Sequence, residues 1–526
     1  MRNKIEQIIK EITKDIFGEE IEFDILYPPD EKMGDYSVNV AFPLAKKLKS
    51  NPEKIAREIL GKLDLDITES VFQIKGFLNF KIKKEAWLKE LAEAINPNYG
   101  ETNSGKGKKV LIEFVSANPT GPLTVAHGRG AVYGDALARI LQSQGFDVKR
   151  EYYVNDTGNQ IKNLGESIKL KIEEIKGKEV QYPENAYKGD YIEKIAKEAI
   201  NKGIKDYGKF GADYMLEEIK KTLQRLHIHF DEWIRESKII EDGKVEAVIS
   251  DLKKITPNPL VEKEGALWFV AGKRERVFRR NDGTWTYIVP DIAYHRFKFD
   301  RNFDLLIDLL GPDHQDHIPE LKESLKLLGY PANNLEVKIV QWVTLKKGNE
   351  TLKMSKRAGT FITLDELIDE VGIDAVKFFY LLKKSSIPMD FDLELAKEES
   401  ERNPVYYVQY GHARISSLLE LAMDRGYPID SKEALSKLKQ KEEWNLIKKI
   451  PIFTEILEDA AKIREAHLIT HYLLSLSKLY HNLYQNIRIL DGDKELIEPR
   501  LFLSNATRNV IKKGLELLGV SAPLRM

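Results

Sequence analysis

The spacing of apolar residues divides the chain into three blocks. Over residues 4–16 and 52–63 apolar positions recur every three or four residues between charges, the period of a helix with one buried face. Residues 71–74 and 77–82 are short strand-like runs. Asn96-Pro97-Asn98-Tyr99-Gly100, followed by Ser104 to Lys109 (SGKGKK), has linker composition. Residues 1–100 are therefore expected to form a small α+β domain. At 110–115 (VLIEFV) the pattern becomes a continuous apolar run, typical of a strand buried on both faces. A loop rich in Ser, Asn, Pro, Thr and Gly follows. A helix is then expected over about 128–143, stopped at Gly145, and a strand at 148–154. Strand, loop, helix, strand is the opening of a parallel α/β sheet. Residues 160–255 read as a charged, mostly helical insertion. Strand signals return at 266–270, 284–289, 305–309 and 337–343, which closes an α/β block over 105–375. Beyond it, residues 405–423, 444–457, 460–486 and 499–518 carry helical periodicity, so 376–526 is expected to be an α-helical bundle.

Composition narrows the chemistry. The 526 residues have 42% hydrophobic and 31% charged side chains, a globular balance sufficient for three or four domains. There is no cysteine, which excludes a disulfide framework, a thiolate zinc site and a cysteine nucleophile. No window approaches 18 uncharged apolar residues, so no membrane span is expected, and a long chain without disulfides fits a cytoplasmic location best. The near-equal totals of 82 basic and 83 acidic residues do not exclude nucleic acid, because binding reads local patches. Residues 1–100 carry 16 basic against 18 acidic side chains, and residues 401–526 carry 19 against 16.

Two segments suit phosphate chemistry. The loop from Ser116 to Gly128 (SANPTGPLTVAHG) leaves the first sheet strand and enters a helix, whose N-terminus favours anions, with His127 placed to donate. It contains neither a P-loop nor a dinucleotide fingerprint. The second segment is Lys353-Met354-Ser355-Lys356-Arg357; between residues 345 and 357 there are five cations and one anion. Lysines on a loop suit charge that develops on phosphate oxygens.

Glu113 lies inside the apolar 110–115 run, where an unpaired carboxylate is costly. It either awaits a cationic ligand or pairs with a neighbouring Lys or Arg. Tyr287 is expected near a strand end, Pro290 at the first helical position and Asp291 in the first turn, where a carboxylate also complements the helix dipole. The five consecutive polar residues Asp313 to His317 cannot all face one ion, and no structural metal is expected. Tyr406, Tyr407, Tyr410, His412 and Arg414 form an aromatic-basic cluster suited to unstacked bases, although the same spacing serves core packing.

TVAH, followed more than 200 residues later by KMSK, resembles the paired HIGH and KMSKS signatures of class I aminoacyl-tRNA synthetases. SANPTGPLTVAHGRGA, NDGTWTYIVPDIAYH, DHQDH, MSKRAGTFITLDELIDEVG and APLRM resemble the arginyl-tRNA synthetase family in particular. GDYSVNVAFPLAK, GFLNF and YYVQYGHARISSLL extend the likeness over the remaining blocks. The resemblance implies a Rossmann-type catalytic domain, ATP with Mg2+ as the substrate complex, L-arginine and tRNA(Arg) as partners, and a monomer. It implies that His127, Lys353 and Lys356 are catalytic. ATP would be held by Thr124, Ala126, His127, Gly128, Lys353, Met354, Ser355 and Lys356. Arginine would be held by Glu113, Ser116, Asn118, Tyr287, Asp291 and Asp313. Tyr407, Tyr410, His412 and Arg414 would meet tRNA, and residues 1–100 would contact the tRNA body. The family pattern has His at position 124 and Gly at 126, where this chain has Thr and Ala. A nucleotidylyltransferase of the same superfamily and a non-catalytic tRNA-binding relative are the alternatives. The long helical C-terminal region argues against the first, and the retained KMSK lysines argue against the second.

Overall fold

The computed structural model describes residues 1–271, 274–348, 350–352 and 362–526. The chain forms two compact units. One comprises residues 1–99, 415–455 and 478–510; the other comprises 100–414, 456–477 and 511–526. Helices Pro404–Asp424, Ile452–Ile463, His467–Asn486 and Lys494–Leu517 contribute residues to both.

In the first unit, a four-stranded sheet runs in the order Ile25–Leu26, Tyr36–Val38, Phe77–Ile82, Thr68–Ile74, with each neighbouring pair antiparallel. Helix Arg2–Phe17 buries Ile5, Ile9 and Ile12, the stripe its periodicity predicts. Asn51 caps helix Pro52–Leu60 by accepting from the Glu53 N–H, with Pro52 in the first turn. Gly34 has φ 82°, and a Cβ there would lie 2.6 Å from the Phe80 carbonyl oxygen, so only glycine fits. The Glu455 carboxylate is buried and accepts from Tyr27 (2.5 Å) and Tyr36 (3.0 Å).

The second unit is built on a five-stranded parallel sheet. Its strands are β1 (Lys109–Glu113), β2 (Asp147–Val154), β3 (Glu232–Arg235), β4 (Leu305–Leu310) and β5 (Leu335–Ile339), in spatial order 3-2-1-4-5. That is the doubly wound order, with its switch point between β1 and β4, where α/β sheets bind ligands beyond the carboxyl ends of the strands. Helix α1 (Val125–Ser143) follows β1 and lies close beneath it. A Cβ on Gly134 would come within 2.3 Å of the Phe114 ring, so this packing requires glycine. Helix α2 (Ile288–Asp300) precedes β4. It shares one core with Leu111, Leu306, Leu335 and the antiparallel sheet of Leu260–Lys263, Ala266–Ala271 and Arg274–Arg279. The charged helices between β2 and β3 bury their own cluster around Leu164, Ile168, Ile195 and Met215. No helix among the described residues is long and apolar enough to cross a membrane.

The structure departs from the sequence pattern at five places. The helix expected from residue 128 starts at Val125, so the TVAH residues are its cap and first turn rather than loop. The run 284–289 is not a strand; α2 begins at Ile288, because Asp291, His295 and Lys298 reach their buried partners only at helical spacing. The end of the presumed insertion supplies β3, an edge strand of four residues, too short to show an alternating pattern. Strand Met389–Asp392, inside a region read as helical, pairs in parallel with Val343–Lys347. The helices expected over 444–457 and 460–486 are interrupted at Pro451, which lacks an N–H, and at Arg464, with φ 58°.

Arg129 of α1 is 1% exposed. Its guanidinium donates to the carbonyls of Gln341 (3.0 Å), Ile387 (2.9 Å) and Lys384 (3.0 Å), the segments flanking those two parallel strands. Arg129→Met should lower stability by about 3 kcal/mol, because buried acceptors lose their donor. Arg129→Lys should recover only part, since an ammonium cannot span the three carbonyls. Thermal unfolding midpoints of the two variants measure this.

Candidate active site

The chain leaving β1 turns sharply. Val115 (φ 69°) and Ser116 (φ 39°) are both left-handed, a strained arrangement for non-glycine residues. The turn lets Ser116 Oγ donate to Glu113 Oε1 at 2.7 Å while accepting the Tyr153 N–H at 3.1 Å. Asn118 Nδ2 donates to Gln160 Oε1 at 2.8 Å, and Tyr152 donates its hydroxyl proton to the Ala117 carbonyl at 2.8 Å.

Thr124 caps α1. Its backbone N–H donates to His127 Nδ1 at 3.0 Å, so Nδ1 is an acceptor and the neutral imidazole carries its proton on Nε2. Ala126 and His127 are half-exposed in the first turn. Gly128 is buried against Leu364 and Tyr380, where a Cβ would lie 2.6 Å from Leu364 Cδ1; packing therefore accounts for this glycine. Lys353, Met354, Ser355 and Lys356 lie outside the described residues. The chain that follows them returns to α1: Thr363 forms an antiparallel bridge with Thr124, and the Leu364 N–H donates to the Leu123 carbonyl at 2.8 Å. Thr363 and Glu366 then close a capping box on α3 (Leu364–Val371). The flanks of two motifs far apart in sequence thus meet at the N-terminus of α1.

Beside them, buried charges alternate in sign. Glu113 Oε2 accepts from Lys298 Nζ at 2.5 Å, and Lys298 also donates to Asp308 Oδ1 at 2.8 Å. Asp308 Oδ2 accepts from His295 Nε2 at 2.6 Å. His295 Nδ1 reaches the Asp291 carbonyl at 2.7 Å and its carboxylate at 3.1 Å. His317 Nε2 lies 3.6 Å from the other oxygen of Asp291. Burial and the Lys298 charge oppose protonation of His295, but Asp291 and Asp308 outweigh them and push its pKa up to about 10. Burial alone would raise the carboxyls of Asp291 and Asp308; the cations beside them instead hold both below the usual range. Glu113 is the weaker acid, raised by burial and by Asp308 despite Lys298.

Tyr287 is 59% exposed at the start of α2, its ring edge-on to His317 at 5.2 Å. Asp313 is exposed in the short helical turn Pro312–His317 that follows β4. The structure therefore gathers Glu113, Ser116, Tyr287 and Asp291 around the ends of β1 and β4. Lys298, His295 and Asp308, which the sequence reading did not single out, join them, as does His317 from the polar run Asp313 to His317. The signal was present: positions 291, 295 and 298 share one helix face, and Asp308 interrupts the apolar run LLIDLL much as Glu113 interrupts its own.

Of the residues expected to meet tRNA, Tyr410 stacks on Tyr406 at 6.0 Å and lies beneath Arg414, whose Nη2 donates to its hydroxyl at 2.7 Å. Tyr407 is half-buried. His412 is buried, with Nδ1 donating to the Pro523 carbonyl at 2.8 Å.

A doubly wound sheet with paired signature flanks at its switch point defines a class I aminoacyl-tRNA synthetase catalytic domain. Residues 91–379 match the family model for the class I (R) tRNA synthetase catalytic domain. Residues 1–82 match the arginyl tRNA synthetase N terminal domain, and 408–526 match the DALR anticodon binding domain. The arginine–tRNA ligase of Thermotoga maritima is 40% identical over 546 residues and covers both chains completely. That of Geobacter sp. strain M21 is 41% identical over 532 residues, 97% of this chain and 96% of the other. The chain belongs to the arginyl-tRNA synthetase family. The Thermus thermophilus arginyl-tRNA synthetase structure superposes over all of both chains with a TM-score of 0.82 at 24% identity, a likeness in fold.

The His295 charge links this site to pH. Its folded pKa, about 10, lies above the ordinary value near 6.5, so its stabilisation is complete below about pH 6.5 and is lost as pH rises through 10. His295→Gln should therefore cost more stability at pH 6 than at pH 10.5, measured by unfolding midpoints across that range.

Proposed function

We propose that this site activates L-arginine with ATP and transfers it to tRNA(Arg), the arginine–tRNA ligase reaction of the family to which the chain belongs. The observation carrying this reading is the Thr124–Thr363 bridge, which joins the flanks of both signature motifs at a helix N-terminus. In the first step an arginine carboxylate oxygen attacks the α-phosphorus of ATP. The bond to the β-phosphate bridge oxygen breaks, and arginyl-adenylate and pyrophosphate form. In the second step a ribose hydroxyl at the tRNA 3′ end attacks the adenylate carbonyl, and AMP leaves. The carboxylate is already nucleophilic, so no general base is needed for the first step; positioning and electrostatics supply the rate.

In this reading the N-terminus of α1 and the Nε2–H of His127 face the phosphates, and Lys353 and Lys356 take up the charge that grows on the departing pyrophosphate. Thr124 and Ala126 shape the floor of the nucleotide site. Mg2+ travels with ATP, held chiefly by phosphate oxygens and water. The hydroxyl, imidazole and amide groups around the first turn of α1 suit a nucleotide that brings its own cation. Asp291 and Tyr287 receive the guanidinium, for which a planar carboxylate is the natural partner. Ser116 and Asn118 meet the amino-acid end, and Asp313 borders the entrance. Glu113, with both oxygens engaged by Ser116 and Lys298, acts from behind. Residues 1–100 contact the body of the tRNA and the helices beyond 376 read its anticodon, with Tyr407, Tyr410, His412 and Arg414 as the contact group. The enzyme works as a monomer in the cytoplasm.

Charging of tRNA(Arg) transcript with labelled arginine tests this. Wild-type protein should form arginyl-tRNA, and Lys356→Ala should lower the activation rate about 10²-fold or more, as loss of a transition-state charge partner does. Absence of arginylation under all conditions would overturn the reading, and tRNA binding without charging would point to a non-catalytic relative.

A further inference from the structure

Among the five groups from Glu113 to Asp291, three carboxylates face two cations, so this row is one positive charge short before His317, 3.6 Å from the second Asp291 oxygen, is counted. Every interior group is used at both ends. Lys298, fully buried and 4.3 Å from the centre of the Tyr294 ring, bridges Glu113 and Asp308. Each Asp308 oxygen has one partner, and each His295 nitrogen has one acidic neighbour. Of the five side chains, Asp291 alone is substantially exposed, at 26%; Glu113, the next, reaches 7%. Buried ion pairs of this kind seldom stabilise a fold better than apolar side chains of the same volume. Their geometry is therefore better explained by what the open end holds.

We propose that His295 and Lys298 are positioning residues for arginine recognition: they lock the carboxylate of Asp291 from behind and leave its exposed edge to be completed by the substrate cation. The inference rests on the arginine–tRNA ligase reading above and assigns these two residues a part in it. An incoming guanidinium supplies the missing charge and completes the alternation, and both ends of the chain lie where arginine is read, Ser116 at one and Asp291 at the other. A substrate whose side chain ends in a neutral group leaves the deficit unfilled. Part of the discrimination against citrulline, which replaces the guanidinium by a neutral urea of similar shape, therefore originates in residues that never touch the substrate. The effect is asymmetric, since the row is bonded to Ser116 at one end and reaches Asp291 at the other, both on the arginine side of the reading above.

The test compares wild-type full-length protein with His295→Gln, Lys298→Met and the double variant Lys298→Met/Asp308→Asn. The readouts are arginine-dependent ATP–pyrophosphate exchange, run with tRNA present, and calorimetric binding of arginine. His295→Gln and Lys298→Met should each raise the KM and Kd for arginine at least 10-fold and leave the KM for ATP within 2-fold. The double variant removes one cation and one anion together, so its arginine affinity should exceed that of Lys298→Met alone. It also limits the buried charge left unpaired, because of the two carboxylates that lose Lys298 only Glu113 remains, and Ser116 still donates to it. Equal shifts in the arginine and ATP constants, or a double variant no better than the single one, overturn the positioning role while the ligase reading stands. Wild-type protein that binds arginine and never charges tRNA overturns the ligase reading alone, and wild type that binds no arginine overturns both.

Discussion

The contact between Lys298 and the two carboxylates of Glu113 and Asp308 fixes how α2 packs across the two central strands of the second unit. Parallel pairing sets Asp308 directly across from Glu113 on adjacent strands, a juxtaposition of like charges that the sheet cannot avoid once β1 and β4 are neighbours. A buried cation must then come from the layer covering them, and α2 supplies it. With Lys298 fixed, helical spacing carries His295 to the second oxygen of Asp308 and brings Asp291 to the surface. The start of α2, the register of β1 against β4 and the exposed edge of Asp291 are consequences of one charge-balance requirement.

A second constraint acts on the other side of β1. The N-terminus of α1 is held by contacts of low chemical specificity: a backbone bridge to Thr363, a capped first turn and the guanidinium of Arg129 donating to three carbonyls. These contacts tie α1 to the segments on both sides of the KMSK motif, whose lysines come from a part of the sequence more than 200 residues away. A site that works by placing charge around a phosphate needs such rigidity more than it needs a reactive side chain. A chain without cysteine loses nothing for this chemistry.

The motif residues show where sequence reading succeeded and where it stopped. Glu113 stood out because a carboxylate in an apolar strand demands a partner, and two explanations were open, a ligand or an ion pair. The structure supplies an ion pair with Lys298. Lys298 was hidden because a lysine near the end of a helix is ordinarily a surface residue. His412 was equally ambiguous, and the carbonyl that engages it lies 111 residues further along. Errors in the elements fell at short edges and breaks: a four-residue strand, a helix start masked by polar capping residues and a strand set among helices. In each, tertiary pairing rather than local periodicity fixes the backbone.

The order of blocks, the parallel α/β character of the middle one and the two phosphate-directed motifs were legible along the chain, because apolar period, turn composition and short signatures are local properties. That β1 and β4 adjoin, that Thr363 returns to Thr124, and that five charged side chains from one helix and two strands form an alternating row emerged only on folding. Charge balance is the physical reason. A sequence lists charges, but their cost and their partners depend on which of them folding removes from water together.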